Sequence, residues 1–235
     1  MKIAIMQPYL FPYIGYFQLL NSVDKFILYD DVQWVKRGWI NRNRILLNGE
    51  ARLITLSVKK RSPYDLINQF EIFEISKENN NRIKFLNKIK AAYSKSPFYK
   101  KIIPMLEKII LNKESNLAKY IKNSLEELKS YLGIDTPIYF SSSLKKNNKL
   151  KGQDRVIEIC KVMKATTYIN PIGGLTLYDK KIFKTNGITL HFLKPNSIIY
   201  SQFNNNFIQN LSIIDVLMFN DKSEVQKMLK EFTLI

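Results

Sequence analysis

The sequence has few of the residues that most often carry redox and metal chemistry. Its 235 residues include one cysteine and one histidine. The single cysteine, Cys160, excludes an intrachain disulfide, and its position on the apolar face of a predicted helix favours a buried packing role. The single histidine, His191, excludes a metal site built on several histidines. His191 lies in a predicted strand, opposite in face to Leu190 and Phe192, where we expect a structural role with a general base as the alternative.

Long apolar runs are also absent. No stretch approaches the ~20 consecutive apolar residues of a membrane-spanning helix. The N-terminal residues read as a buried strand and lack the apolar core and cleavage site of a signal peptide. The sequence also has no Walker loop, dinucleotide fingerprint, zinc-ligand spacing or serine-nucleophile elbow. We therefore predict a cytoplasmic protein with no membrane span and no metal site, and we name no cofactor.

Acidic residues are scarce relative to basic ones. The chain carries 20 acidic and 37 basic residues, which gives a formal net charge of +17. Such a charge attracts phosphates, nucleic acid and anionic membrane surfaces. However, the abundance of Lys, Asn and Ile also fits AT-rich coding, and the lysines are spread along the sequence. Genome bias and attraction to a phosphate-rich ligand both remain open, and a nucleic-acid binder is a lesser alternative.

The pattern of apolar residues predicts an α/β fold. Apolar runs at 2–6 and 25–29 flank a short helix at 15–23, which suggests a right-handed parallel crossover. Asn48-Gly49 between runs at 42–47 and 51–58 predicts a hairpin. Helical spacing dominates 76–132, with helices at 82–93, 100–111 and 117–132, and alternation of strands and helices resumes over 133–235. We predict one unit (1–235): a Rossmann-like parallel sheet, formed by 1–75 and 133–235, with an inserted helical region at 76–132.

The first candidate site follows the first strand and opens a helix. It runs from Gln7 through two prolines and several aromatic residues to Tyr16. Ligands of open α/β sheets bind beyond the carboxyl ends of the strands, and a helix N-terminus offers free N–H groups to anions. Gln7, Tyr13 and Tyr16 are therefore candidate substrate-binding residues, with aromatic packing over a sheet edge as the alternative.

The second candidate site, residues 29–44, is the most unusual stretch of the chain. Asp30 and Asp31 stand at a predicted strand end, and both tryptophans interleave with basic residues. Carboxylates at such a position can bind a metal, a sugar hydroxyl or an amine, or act as a base. Arginines hold carboxylate or phosphate, and tryptophan offers a flat face to a sugar ring. The candidates that bind substrate here are Lys36, Arg37, Trp39, Asn41, Arg42 and Arg44. A salt-bridged surface loop is the alternative.

The third candidate site is a strand, a glycine turn and a helix. Asn170 follows the predicted strand at 167–169, and Gly173-Gly174 form the turn before a predicted helix at 178–186. Backbone N–H groups of such a turn can bind an anion. Many strand–helix turns look alike, so an ordinary connection is an equal alternative.

Four segments together resemble the WbqC-like family of surface-polysaccharide gene clusters. The resemblance covers essentially the whole chain and rests on residues 6–17, 29–43, 168–174 and 211–220. It implies a role in the biosynthesis of O-antigen, capsule or another glycan, and enzymes that attach glycine or a similar acyl group to an amino sugar are suggested for this family. A more distant similarity links Tyr13-Ile14-Gly15-Tyr16 to the His-x-Gly-His signature of a nucleotidyltransferase fold. Tyrosines replace both histidines, which argues against ordinary ATP chemistry.

These observations lead to a specific expectation of function. We expect a transferase that forms an amide on a nucleotide-linked amino sugar, with the acyl donor on a carrier protein or a charged tRNA. The basic residues of the second site would hold phosphate, and Asp30 or Asp31 would accept the amine proton. Gln7 and Asn41 would donate hydrogen bonds, and N–H groups near Gly173 would stabilise an oxyanion. The alternatives are an adenylyl-transfer enzyme and a sugar-nucleotide-binding module without catalysis.

Overall fold

The central feature of the fold is a six-stranded, mostly parallel sheet. The computed structural model describes residues 1–74, 80–203 and 206–235. The strands are β1 (Lys2–Met6), β2 (Lys25–Leu28), β3 (Arg42–Leu47), β4 (Glu50–Thr55), β5 (Ile138–Phe140), β6 (Thr167–Pro171), β7 (Thr189–Pro195) and β8 (Phe232–Leu234). The sheet has the order β5-β2-β1-β6-β7-β8, and only β8 runs antiparallel to its neighbour. The strand order reverses between β1 and β6, as in doubly wound folds. The predicted Rossmann-like α/β class is confirmed.

Helices cover both faces of this sheet. They are α1 (Ile14–Asn21), α2 (Asn81–Tyr93), α3 (Tyr99–Ile110), α4 (Leu117–Leu132), α5 (Gly152–Val162), α6 (Lys180–Thr185), α7 (Ile213–Phe219) and α8 (Lys222–Met228). Successive strand residues point to opposite faces. Ala4 and Phe26 therefore join a core with α1, α4 and α7, whereas Ile3 and Ile27 join a core with α5 and α6. Within the described residues, no helix has the length and apolarity needed to cross a membrane.

The hairpin and the helical region follow the sequence pattern closely. Asn48 and Gly49 have φ values of 53° and 77°, the positive values that a two-residue type I′ turn requires. The three predicted helices appear as α2, α3 and α4, and Gly133 ends α4 with φ 74°. Strand β4 ends three residues before the predicted end, because Val58 instead bridges Ile72. The predicted start of the helical region near 76 falls outside the described residues.

The C-terminal segment corrects one prediction. The sequence pattern predicts a helix over 223–232 with Ser223 as its N-cap. In the structure, the Asp221 carboxylate caps α8 by accepting a hydrogen bond from the Glu224 N–H at 2.9 Å, and α8 ends at Met228. Phe232–Leu234 form β8 at the sheet edge. A short apolar run at a helix end does not distinguish a further turn from an edge strand, so periodicity alone misplaced this boundary.

Candidate functional site

A cleft of about 610 Å³ opens where the strand order reverses. It lies beyond the carboxyl ends of β1, β6 and β7, the edge at which open α/β sheets bind ligands. Tyr9 and Tyr13 come from the loop after β1, Ile172 follows β6, and Lys194 lies at the end of β7. The complete lining is Tyr9, Tyr13, Trp39, Arg44, Ile172, Lys194, Pro195, Asn196, Ser197, Gln209 and Asn210. The first and second candidate segments therefore meet in one cleft.

Aromatic rings form one wall of the cleft. The ring centroids of Tyr9 and Trp39 lie 6.2 Å apart. The Trp39 side chain is 44% exposed, so the indole is available to a ligand. Burial raises the pKa of Tyr13, and burial together with Tyr13 raises that of Tyr9 despite the nearby Arg44 charge. Both hydroxyls therefore stay protonated at neutral pH. The Tyr9 hydroxyl donates to Asn43 Oδ1 at 3.3 Å, which orients the ring.

Cations without acidic partners stand beside these rings. The Arg44 guanidinium lies 5.6 Å from the Trp39 ring centroid, and its Nη2 donates to the Asn210 carbonyl at 3.3 Å. Lys194 is exposed at the end of β7. Neither side chain has an ion pair within the described residues, and the cleft lining contains no Asp or Glu. The cleft is therefore electropositive and suited to an anionic ligand that carries a planar or sugar ring.

Arg42 supports the same wall from outside the cleft. Its guanidinium lies 5.8 Å from the Trp39 ring centroid, and its Nε donates to the Gly38 carbonyl at 2.8 Å. Lys36 and Arg37 are exposed in the preceding loop and do not line the cleft. The predicted basic cluster is therefore divided in the structure. Arg44 lines the cleft, Arg42 supports its wall, and Lys36 and Arg37 lie on the surface.

A buried carboxylate at the start of α7 anchors the neighbouring residues Tyr200 and Gln202, and the sequence interpretation assigned it no role. Asp215, fully buried in the first turn of α7, accepts from the Tyr93 hydroxyl at 2.8 Å, the Tyr200 hydroxyl at 2.7 Å and Gln202 Nε2 at 2.6 Å. Burial raises the pKa of Asp215 more than these hydrogen bonds lower it. Gln202 also pairs with the backbone of Ile208. This network fixes the chain that supplies residues 196–197 and 209–210 to the cleft. The sequence does contain a signal for this role, because Asp215 is the single charged residue in the apolar helical run 211–219.

Asp30 joins two parts of the sheet edge. Its carboxylate accepts from the Ser142 N–H at 2.9 Å, from the Ser142 hydroxyl at 2.6 Å and from Asn68 Nδ2 at 3.3 Å. The two Ser142 donors connect the end of β2 to the turn after β5, and Asn68 adds a third donor from the short helix Ile67–Gln69. This contact set is that of a structural carboxylate.

Asp31 belongs to a buried ion cluster. Its Oδ2 lies 2.6 Å from Lys146 Nζ and 2.7 Å from Arg155 Nη2. The Lys146 and Arg155 side chains are only 1% and 12% exposed. Burial by itself raises the pKa of Asp31, but the hydrogen bond and charge of Lys146 and the charge of Arg155 outweigh it and lower the pKa. A carboxylate stabilised in this way is a weaker base than a free one.

The side chains of Tyr16 and Asn41, which were also predicted to bind substrate, contact the protein itself. Tyr16 is buried and donates its hydroxyl to the Gln7 carbonyl at 3.1 Å, while the Gln7 side chain is exposed. Asn41 is buried and donates from Nδ2 to the Leu56 carbonyl at 2.8 Å. Gly15 has no room for a side chain, because a Cβ would lie 2.3 Å from the Tyr13 ring. Gly15 therefore allows Tyr13 its position at the cleft.

The third candidate segment shapes the edge of the cleft. Asn170 accepts from the Tyr168 hydroxyl at 2.9 Å and donates to the Pro171 carbonyl at 3.1 Å. A Cβ on Gly174 would lie 1.7 Å from Asn170 Nδ2, whereas a Cβ on Gly173 would meet nothing within 4 Å. The turn thus needs glycine at 174 and directs Ile172 into the cleft.

The single histidine and cysteine lie away from the cleft lining. His191 pairs with Ile169 in the sheet, on the face opposite Leu190 and Phe192 as predicted. Cys160 is buried, and burial raises the pKa of its thiol to about 12. In the part of the chain that the structure describes, no group of three or more His, Cys, Asp or Glu side chains could hold a metal ion.

The chain belongs to the WbqC-like protein family, whose model matches residues 7–227. It is also similar to an uncharacterized protein of Mycobacterium tuberculosis strain H37Rv, Rv1507c. The two are 28% identical over 232 residues, which cover 97% of each chain. No solved structure matches the chain. The resemblance inferred from the four sequence segments is therefore confirmed at the level of the family.

Proposed function

We propose that this protein is a transferase of bacterial surface-glycan biosynthesis. It binds a nucleotide-linked amino sugar in the cleft and forms an amide by moving an aminoacyl or acyl group, such as glycine, onto the sugar amine. The observation that supports this proposal is the pairing of exposed aromatic surface at Trp39 with two cations, Arg44 and Lys194, that lack acidic partners in the described structure. Family membership supports the same biological context.

The cleft residues fit the two parts of such a ligand. The indole of Trp39 would stack on the sugar or the base, and Arg44 and Lys194 would neutralise the pyrophosphate. The same cations would lower the pKa of a bound ammonium group, because a like charge disfavours the protonated form. The neutral amine is the nucleophile that amide formation requires.

The proposed reaction exchanges one acyl bond for another. The amine nitrogen attacks the acyl carbon, the bond from that carbon to the sulfur or oxygen of the donor breaks, and the amine proton passes to solvent or the departing group. Stabilisation of the oxyanion by N–H groups near Gly173 stays a prediction. A base role for Asp30, Asp31 or His191 also stays a prediction, and the lowered pKa of Asp31 makes it a weak base.

A second candidate is a sugar-nucleotide-binding module without catalysis. Among the described residues, the cleft lining includes no Asp, Glu, His or Cys, so they offer tyrosine hydroxyls and cations but no side chain that exchanges protons readily near neutral pH. The adenylyl-transfer alternative has less support. Of the Tyr13-Ile14-Gly15-Tyr16 segment, only Tyr13 reaches the cleft, and the Tyr16 hydroxyl is occupied by a backbone carbonyl.

The test is a thermal-shift screen with UDP- and dTDP-linked amino sugars, ATP and acyl-CoA. A ligand that binds only the folded state raises the melting temperature. We expect a shift with an amino-sugar nucleotide, and turnover with an activated acyl donor would separate the transferase from the binding module. A shift with ATP alone would instead favour adenylyl transfer.

Charge variants then locate the ligand. Lys194→Met should weaken binding, since it removes a cleft cation, while Lys149→Met removes an equal charge from an exposed position outside the cleft lining. Equal weakening by both variants would show that the net charge of the whole protein, and not the cleft, attracts the nucleotide.

A further inference from the structure

A patch of exposed aliphatic and basic side chains lies beside the cleft. We define the α6 patch as Leu175, Leu177, Lys180, Lys181, Ile182 and Lys184. Its three aliphatic side chains are 45%, 67% and 42% exposed in chain order, although large apolar side chains ordinarily pack inside. They fall within eight residues of sequence, on the turn after β6 and on the helix that follows it. Leu175 and Leu177 share one short turn, so their exposed side chains lie closer together than single apolar residues scattered over a surface.

The charge of the α6 patch has one sign. Lys180, Lys181 and Lys184 are exposed, and none forms an ion pair within the described residues. The adjacent acidic residue, Asp179, is occupied as the N-cap of α6, where its carboxylate accepts from the Lys181 N–H at 2.7 Å. The patch therefore joins aliphatic tips to uncompensated positive charge, the combination that binds anionic membrane surfaces.

We propose that the α6 patch docks the protein peripherally on an anionic lipid bilayer. Leu175 and Leu177 lie on an exposed turn, and a bilayer accepts such tips without the complementary pocket that a protein partner must provide. The lysines of α6 would contact the lipid headgroups. Ile172, three residues before Leu175, lines the cleft, so docking would hold the cleft close to the membrane surface. This inference is independent of the transferase proposal.

The test is co-sedimentation of the full chain with vesicles of phosphatidylcholine mixed with phosphatidylglycerol, against vesicles of phosphatidylcholine alone. We expect binding to the anionic vesicles. Leu177→Glu should reduce the affinity roughly tenfold or more, because it replaces an inserted aliphatic tip with a charge. The pair Lys181→Glu and Lys184→Glu should reduce it roughly 25-fold or more, at about fivefold for each lysine.

Matched controls separate the patch from the charge of the whole protein. Leu53→Glu alters a leucine of similar exposure on β4, and Lys100→Glu with Lys101→Glu gives the same change in net charge on α3. Both controls should bind like the wild type. Failure of the wild type to bind, or equal loss in the patch and control variants, would overturn the proposal. So would a dimer in sedimentation analysis that Leu177→Glu dissociates, because the patch would then be a protein interface. Nucleotide binding is measured without vesicles, so its outcome is separate.

Discussion

Replacing Asp31 with asparagine should lower the free energy of unfolding, so the stability of this variant must be measured before its turnover is interpreted. The substitution removes the one negative charge shared by Lys146 and Arg155, whose side chains are 1% and 12% exposed. Removing one partner of a buried ion pair costs about 3–5 kcal/mol, because the remaining charge has lost its solvation and its partner. The free energy of unfolding of a typical domain is about 5–15 kcal/mol, so this loss is a large fraction of the total stability.

Urea unfolding measures the effect. With a slope of about 1–3 kcal/mol per molar urea, the midpoint should fall by about 1 M or more. The double variant Asp31→Asn with Lys146→Met should recover part of the loss, because it leaves one stranded cation in place of two. A loss below about 1 kcal/mol for Asp31→Asn, well under the expected cost of breaking a buried pair, would refute this account of the cluster. Strictly additive effects of the two substitutions would refute it as well.

The pH dependence gives an independent check of sign. The pKa of Asp31 is lower in the folded state, so its contribution to stability is present above its unfolded pKa of about 3.9 and is lost as the pH falls through the folded value. Asp31→Asn should lack this acid-dependent component. A loss of turnover in Asp31→Asn would implicate Asp31 in catalysis only if unfolding and nucleotide binding were unchanged.

Two further predictions concern the walls of the cleft. Asp215→Asn should cost about 1–3 kcal/mol, because an amide cannot accept all three hydrogen bonds that the carboxylate accepts. The pKa of Asp215 is raised in the folded state, so its contribution to the free energy of unfolding is full below its unfolded pKa and is lost as the pH rises through the folded value. The difference in unfolding free energy between wild type and Asp215→Asn, measured with denaturant, should therefore shrink as the pH rises. A difference that grew with pH would contradict this sign. Gly174→Ala should cost about 1–3 kcal/mol because its Cβ displaces the Asn170 amide, whereas Gly173→Ala should unfold at the wild-type midpoint. Equal midpoints for the two alanine variants would argue against that close contact.

The sequence predicts most of the fold because its elements carry strong local signals. Buried runs at β1 and β2, the Asn-Gly turn and the helical spacing of α2, α3 and α4 each determine their element without reference to the rest of the chain. The exceptions are short elements at boundaries. Strand β8 forms only because β7 offers an open edge, and that edge is not visible in the local sequence.

The candidate site was predicted in part, for a similar reason. Tyr13 and Trp39 each follow a buried strand in the sequence, which predicts that both lie near one edge of the sheet. In the structure both line the cleft. Position did not reveal what each side chain contacts. Asp31 faces two cations from a turn and a helix more than 100 residues away in sequence, and Lys194 reaches the cleft only through the pairing of β6 with β7. Such partners depend on tertiary packing.

The placement of the two tryptophans gives the protein an optical reporter of its own cleft. Trp34 stacks on Phe70 with ring centroids 4.3 Å apart, whereas Trp39 lines the cleft, with the guanidinium groups of Arg42 and Arg44 5.8 and 5.6 Å from its ring centroid. Indole emission depends on nearby charge and on exposure to water, so a ligand in the cleft would change the fluorescence of Trp39 and leave that of Trp34 largely unaffected. A Trp34→Phe variant would then carry one indole, located in the cleft, and titrations with candidate ligands could be followed without any label.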